Sequence, residues 1–204
     1  PALVKARPIA GDNRNAVLFN LNKIRHFVFV KDERSFEEKQ DKLVWRGNVF
    51  QPNRRRFMEL YFDHPRCDVG HARRRKSDNP WSRPYLTISE QLKNKFVLSL
   101  EGNDVATNLK WIMSSNSLCI MCRPQVETWF MEGTLEAGRH YVEIKDDFSD
   151  LIEKMDHYMA HPDEARAIIA EANQFVERFM NPLVEDAVSL LVLEKCLRLS
   201  GQYG

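Results

Sequence analysis

Two rhythms of apolar positions alternate along most of the chain. Short continuous runs read as buried strands: Leu43-Val44-Trp45, Phe96 to Leu100, Ser117 to Met121 and Tyr141 to Ile144. Between them, apolar residues recur at helical spacing. Arg54 to Phe62 carries Phe57, Leu60 and Tyr61 on one side, and Val105, Leu109, Ile112 and Met113 mark the next helix. Thr128 to Glu132 reads as a short helix. Leu151 to Met159 follows, with Ser149 as its cap, and then a stripe from Ala165 to Phe179 that starts at Pro162. Asn181-Pro182 repeats the cap-plus-proline signal before a last helix to about Leu199. The first forty residues give less: Phe27-Val28-Phe29-Val30 suggests a strand, and Ser35 to Lys39 the start of a helical turn. From Gly70 to Pro84 no periodicity survives, which predicts an exposed loop.

Strands alternating with helices imply an α/β fold, a doubly wound parallel sheet with helices on both faces. In such sheets ligands bind beyond the carboxyl ends of the strands, beside helix N-termini. The loops after Trp45, Leu100 and Met121 are therefore where chemistry is expected.

Composition narrows the class. The 204 residues are 43% hydrophobic and 29% charged, enough apolar content for a sizeable core, and the chain has no low-complexity tract. A formal net charge of +1 argues against a surface built for nucleic acid. Cys67, Cys119, Cys122 and Cys196 are too few for a disulfide scaffold and fit a reducing compartment. No apolar stretch has transmembrane length. The start at Pro1, without an initiator Met, reads as a processed or trimmed chain.

The candidate sites follow from the strand ends. Trp45-Arg46-Gly47-Asn48, with Arg54 shortly after, can bring backbone N–H groups, a helix N-terminus and a guanidinium to a phosphate. An ordinary turn before a solvated basic helix is the plainer alternative. Glu101-Gly102-Asn103-Asp104 is a second strand–glycine–helix junction, without the spacing of a dinucleotide fingerprint or a P-loop; a capped helix explains it as well. Glu127, opening the Thr128 segment beside Trp129, can accept sugar hydroxyls or simply stand at the surface. Cys119-x-x-Cys122 lies within a strand and lacks a second ligand pair, so no metal site is expected. The basic run Arg73 to Lys76 suits an anionic acceptor or mere solvation.

In order along the chain, Trp45-Arg46-Gly47-Asn48 with Arg54, Lys95 to Gly102, Asn108-Leu109-Lys110, Ser115-Asn116-Ser117, Glu127 to Phe130, His140-Tyr141-Val142 and Asp147 to Leu151 resemble the lipopolysaccharide-modifying glycosyltransferases. These are relatives of fungal capsule-associated proteins and of protein O-glucosyltransferases, glycosyltransferase family 90. The resemblance implies a two-lobed GT-B-like fold, a UDP-sugar donor, inverting chemistry and no metal or other cofactor. It implies that residues 1–40 are a remnant of an incomplete N-terminal, acceptor-side lobe. Residues 41–182 would be the Rossmann-like nucleotide-sugar-binding domain, and 183–204 a helix packing back on the lobes.

By the same resemblance Arg46, Gly47, Asn48 and Arg54 hold the donor diphosphate, with Glu101, Gly102, Asn103 and Glu127 completing the pocket. Where relatives carry a second phosphate-binding arginine this chain has Asn108, and Lys110 is the residue expected to compensate. The general base of the family lies upstream of this stretch; Asp32 is the in-chain candidate. The expected function is hexose transfer from a UDP-sugar to a saccharide acceptor, a lipid-linked or lipopolysaccharide core sugar. A non-catalytic nucleotide-sugar-binding module is the alternative. The expected setting is the cytoplasm, with peripheral contact at the inner membrane an option and no nucleic-acid partner.

Overall fold

The computed structural model describes residues 1–21, 27–73 and 78–202. Its centre is a six-stranded, all-parallel sheet made of β4 (Gln40–Gly47), β5 (Cys67–Arg73), β6 (Ser82–Pro84), β7 (Asn94–Leu98), β8 (Leu118–Met121) and β10 (Val142–Glu143). The strand order is β10-β8-β7-β4-β5-β6. The chain therefore builds outward from β4 through β5 and β6, then returns to the other side of β4 for β7, β8 and β10.

Side chains alternate across this sheet as the pleat requires. Leu43, Trp45, Phe96, Leu98, Leu118 and Ile120 face one core, together with α1 (Pro52–Tyr61), α4 (Leu151–Ala160) and the first half of α5 (Pro162–Glu177). Val44, Val97, Cys119 and Met121 face the other, with α3 (Leu109–Met113) and the second half of α5. Ala165 and Ile168 belong to the first core and Ala172 and Val176 to the second, so one helix seals both faces. Doubly wound architecture follows directly.

Several elements differ from the periodicity. Phe27 to Val30 is extended but joins no sheet; its rings pack on Phe130 and Phe179, and the Val30 N–H donates to Ser114 Oγ. At Ser35, the backbone N–H does donate to Glu38 Oε2, yet no helix follows because β4 begins at Gln40. The predicted loop from Gly70 contains the end of β5 and all of β6, a short edge strand of mixed polarity that gives no apolar run. Arg74, Arg75 and Lys76 of the basic run lie outside the described residues. Thr128 ends a strand, β9 (Val126–Thr128), which pairs antiparallel with β2 (Ala6–Pro8). Nearby, β1 (Ala2–Val4) pairs parallel with β3 (Ala16–Leu18), so the N-terminal segment is stitched onto the sheet domain. The remaining short helix, α2 (Ile88–Gln91), carries a complete capping box between Thr87 and Glu90. The cap of α4 is Asp150 rather than Ser149, whose hydroxyl is taken by Asp147.

The last helix, α6 (Pro182–Leu199), is capped by Asn181, which accepts from the Leu183 and Val184 N–H groups. Apolar residues surround it, and Leu183, Leu190, Leu191 and Leu199 stand exposed. Its buried anchor is Glu185, which accepts from the Trp129 indole at 2.6 Å. That bond commits Trp129 to α6 rather than to stacking on a ligand. Among the described residues no helix is long and apolar enough to cross a membrane.

Asp32 sits where the sheet begins. Its carboxylate takes the Lys39 ammonium at 2.5 Å and the Asn116 N–H at 3.1 Å, and Lys39 also donates to the Leu92 carbonyl. Lys39, Leu92 and Asn116 lie just before β4, β7 and β8, so this knot ties the amino ends of three parallel strands. Both side chains are buried, and burial lowers the Lys39 pKa against the opposing pull of Asp32. Asp32 is thereby committed to this knot, at the amino edge and away from the carboxyl ends of the strands. Asp32→Ala strands a buried ammonium and is expected to cost about 3–5 kcal/mol in urea unfolding, the range for breaking a buried pair from one side. A loss below about 1 kcal/mol would contradict the structural role.

Candidate functional site

The strand order reverses between β4 and β7, and at such a switch point the loops leave in opposite directions and open a crevice. A cleft of about 380 Å³ lies there, bordered by Gly47, Asn48, Arg54, Gly102, Asn103 and Asn108 among others. A second cavity of about 280 Å³ adjoins it beyond the ends of β7, β8 and β10, sharing Leu100, Val105 and Ala106. The three loops that the strand pattern singled out, after Trp45, Leu100 and Met121, border these two spaces.

Arg54, in the first turn of α1, joins the two sides of the crevice. Its Nη1 donates to the Asn48 carbonyl at 3.0 Å, Nη2 to Leu100 at 2.7 Å and Nε to Glu101 at 3.2 Å, and the guanidinium lies 5.3 Å from the Trp45 ring centre. Arginine has five N–H donors. Three are engaged here, which leaves two for a ligand. Burial draws the Arg54 pKa below the usual arginine value, far too little to discharge it near neutral pH.

The glycines are explained by the same contacts. A Cβ on Gly102 would stand 2.9 Å from Arg54 Nη2, and one on Gly47 would strike the Trp45 ring at 2.4 Å. Helix α1 itself begins with Pro52, has no side-chain cap from Gln51 and no acid in its first turn, and instead places Arg54 and Arg55 there, with Asn53 Oδ1 accepting the Arg54 N–H. Cations at a helix N-terminus oppose the dipole. The arrangement suits an anion that both would bind.

The other predicted residues divide. Asn103 lines the cleft and accepts from Gln51 Nε2 at 3.1 Å. Arg46 borders the cleft, but its guanidinium turns along the sheet to Asp68 and the carbonyl of Pro84. Asn108 lines the cleft while its Nδ2 donates to the Leu98 carbonyl at 2.8 Å. Lys110 does not compensate for it. The Lys110 side chain is fully buried, bonded to Glu132 at 2.6 Å and 4.9 Å from the Phe130 ring centre. Every residue of α3 is buried, Lys110 among them. Glu127 lies on β9, paired with Arg7 at 2.8 Å, and borders neither cavity.

Glu101 faces the second cavity and accepts the Gln125 and Val126 N–H groups at 3.2 and 3.4 Å. Burial raises its pKa above the usual glutamate value, with those N–H groups working against the rise. The Cys119 and Cys122 pair is not redox-poised. Burial pushes Cys122 up to about 12 and Cys119 up as well, so both stay thiols.

Sequence reasoning missed Lys5, which borders the cleft and pairs with Asp104. It also missed Arg123, Gln125 and Asp146 around the second cavity. Lys5 lies in a segment with no periodic signal. The other three sit in loops whose relevance shows only once β8 and β10 are neighbours.

Comparison with known proteins identifies the family. The model of glycosyl transferase family 90 matches residues 20–191. The chain is 48% identical over 199 residues to O-glucosyltransferase LpsA of Dichelobacter nodosus, covering 98% of this chain and 63% of that protein. It is 24% identical over 154 residues to protein O-glucosyltransferase 3 of Homo sapiens, covering 72% of this chain and 30% of that protein. The chain thus spans under two thirds of the length of these relatives.

Arg54→Ala should lower stability by about 1–3 kcal/mol even without nucleotide, because it takes the side-chain donor from the Asn48 and Leu100 carbonyls and leaves Glu101 with Asn53 alone. Chemical denaturation checks this, and Arg54→Lys should recover little, since a single ammonium cannot span the three carbonyls. Glu101 gives a pH test. Its folded pKa lies above its unfolded value, so the folded state holds the proton more tightly and loses stability as pH rises through that raised value. Glu101→Gln keeps the accepting oxygen and removes the charge. It should be more stable than the parent near neutral pH, with the advantage shrinking as pH falls towards ~4. A pH-independent difference in unfolding free energy would contradict the shift.

Proposed function

Since the chain belongs to glycosyl transferase family 90, its model matching residues 20–191, we propose that it forms the donor-binding part of an enzyme that transfers a hexose from a UDP-sugar. The acceptor on this reading is a saccharide, a lipid-linked or lipopolysaccharide core sugar. Glucose is the first sugar to test, because both relatives above carry O-glucosyltransferase in their names.

One observation carries the reading: at the switch point, an uncapped helix N-terminus and a guanidinium with two unused N–H groups meet in one polar cleft. A diphosphate leaving with developing negative charge needs such fixed donors. Gly47 and Gly102 keep the backbone close, and Asn48 and Asn103 supply neutral polar groups at the rim. The adjoining cavity combines Leu100, Val105, Met121 and Phe148 with Glu101 and Asp146. That mixture suits a nucleoside, whose flat ring wants apolar walls and whose edge wants a few polar partners.

Transfer on this reading inverts the sugar by direct displacement. The acceptor hydroxyl loses its proton to a base as the sugar–oxygen bond to the diphosphate breaks. Charge on the departing diphosphate falls to Arg54 and the α1 N-terminus, a role that a divalent ion would otherwise fill. The base belongs to the acceptor side. The uncovered apolar surface of α6 is read as the face that meets the other lobe of a two-lobed enzyme. A non-catalytic nucleotide-sugar module is the second reading, favoured by Glu127 and Asp32 being committed to ion pairs.

The expected outcome is that UDP and UDP-glucose bind in calorimetry with equal affinity with and without EDTA, and that ATP binds far more weakly. Arg54→Ala should weaken UDP by about 1.5–3 kcal/mol, the scale of a hydrogen bond to a charged group. Dependence on manganese, or equal affinity for ATP, would overturn the donor assignment. Slow hydrolysis of UDP-glucose separates an enzyme from a binding module, which would leave the donor intact.

A further inference from the structure

At the corner between α4 and α5, far from the cleft along the fold, three metal-ligating side chains converge. His157 lies in the last turn of α4, His161 forms the joint between the two helices, and Glu164 lies in the first turn of α5. One ligand atom from each falls within 4.8 Å of the other two, and all three residues are exposed. The joint belongs to the amino edge of the sheet, for the neighbouring Asp156 and Met159 contact Arg66, just before β5. None of the three borders either cavity described above.

The local hydrogen bonds prepare these rings for a metal. His161 Nδ1 lies 2.8 Å from the His157 carbonyl, an acceptor, so Nδ1 carries the proton and the Nε2 lone pair points outward. A carbonyl on the far nitrogen is a usual device for orienting a metal-binding histidine. The two imidazoles stack with ring centres 4.4 Å apart and planes 26° from parallel, and each offers a ligand atom within 4.8 Å of the other's. Glu164 Oε2 already lies 2.7 Å from His157 Nε2. Three ligands around one ion at bonds of about 2.1 Å stand roughly 3.4 Å apart. Small side-chain rotations, unhindered at this exposed corner, would open the close pair and draw in the third atom.

We propose that His157, His161 and Glu164 form a surface site for a borderline divalent transition ion of the zinc class, water completing the shell. Two imidazoles and one carboxylate select Zn²⁺, Ni²⁺ or Cu²⁺ over Mg²⁺ and Ca²⁺. The ion takes the place of the proton shared between His157 and Glu164. It joins the last turn of α4 to the first turn of α5, the helix that seals both cores, so binding stabilises the domain by mass action. The site is separate from the proposed sugar transfer, and its test does not depend on that reading.

The test uses the untagged chain, stripped with EDTA and dialysed, titrated with ZnCl₂ in calorimetry and thermal unfolding. Expected are one ion per chain, a raised Tm and no response to MgCl₂. His157→Ala and His161→Ala should each lower zinc affinity by about 10-fold or more, and Glu164→Gln should lower it less. Because the three residues are exposed, the apo forms should unfold as the parent does; His157→Gln provides a second check on the fold. Absorption of bound Co²⁺ should be lost in the histidine variants. Zinc binding that survives both substitutions, no zinc binding at all, or an equal response to Mg²⁺ would each overturn the proposal.

Discussion

A guanidinium holds the working edge of this domain together. Where a parallel sheet reverses its strand order, the loops on either side diverge and their carbonyls lose neighbours. Arg54 reaches from α1 across that gap to carbonyls on both sides, Asn48 on one and Leu100 and Glu101 on the other. No apolar contact could do this, and lysine lacks the planar fork. Gly102 must stay without a side chain because the guanidinium fills the space. The cleft, the path of the loop from Leu100 and the seating of α1 are thus one arrangement seen from three sides.

The same constraint shows what periodicity could and could not reveal. Leu43 to Trp45, Phe96 to Leu98 and Leu118 to Met121 are unbroken apolar runs because both of their faces are covered, and they were legible as strands. Strand β5 and the edge strand β6 were not. Asp68 and Arg83 serve hydrogen bonds there, and the alternation of Cys67, Val69 and His71 is too polar to stand out. Thr128 to Glu132 was expected to be a short helix. The two side chains bond, Thr128 Oγ1 lying 2.9 Å from Glu132 Oε1. The bond closes a turn after β9, since pairing with Ala6 to Pro8, more than a hundred residues away, decides the backbone there.

For the site, glycine placement at strand ends was readable because it follows from local geometry. Which polar side chain faces the crevice was not, because that depends on partners distant in sequence. Lys110 and Asn108 stand two positions apart, and the helix turns one to the cleft and the other to Glu132 in the core. Glu127 is drawn to Arg7 by the same long-range pairing that makes β9 a strand. Asp32, the in-chain candidate for the general base, is the partner that makes a buried lysine tolerable.

These assignments sort the charges by edge. At the amino edge Asp32 and Lys39 neutralise each other, and their remaining hydrogen-bond capacity goes to backbone groups that start β4, β7 and β8. Such a knot fixes register and has nothing to offer a ligand. At the carboxyl edge Arg54 has no carboxylate partner among the described residues, and backbone carbonyls carry only partial charge. Its positive charge is held in place yet not cancelled, beside a helix N-terminus of the same sign. Such a pair is electrostatically unfavourable on its own. A substituted Asn108 must be weighed against that background. An arginine there would add charge, but it would also release the Leu98 carbonyl that Asn108 now satisfies at 2.8 Å. The neutral amide thus keeps the end of β7 closed.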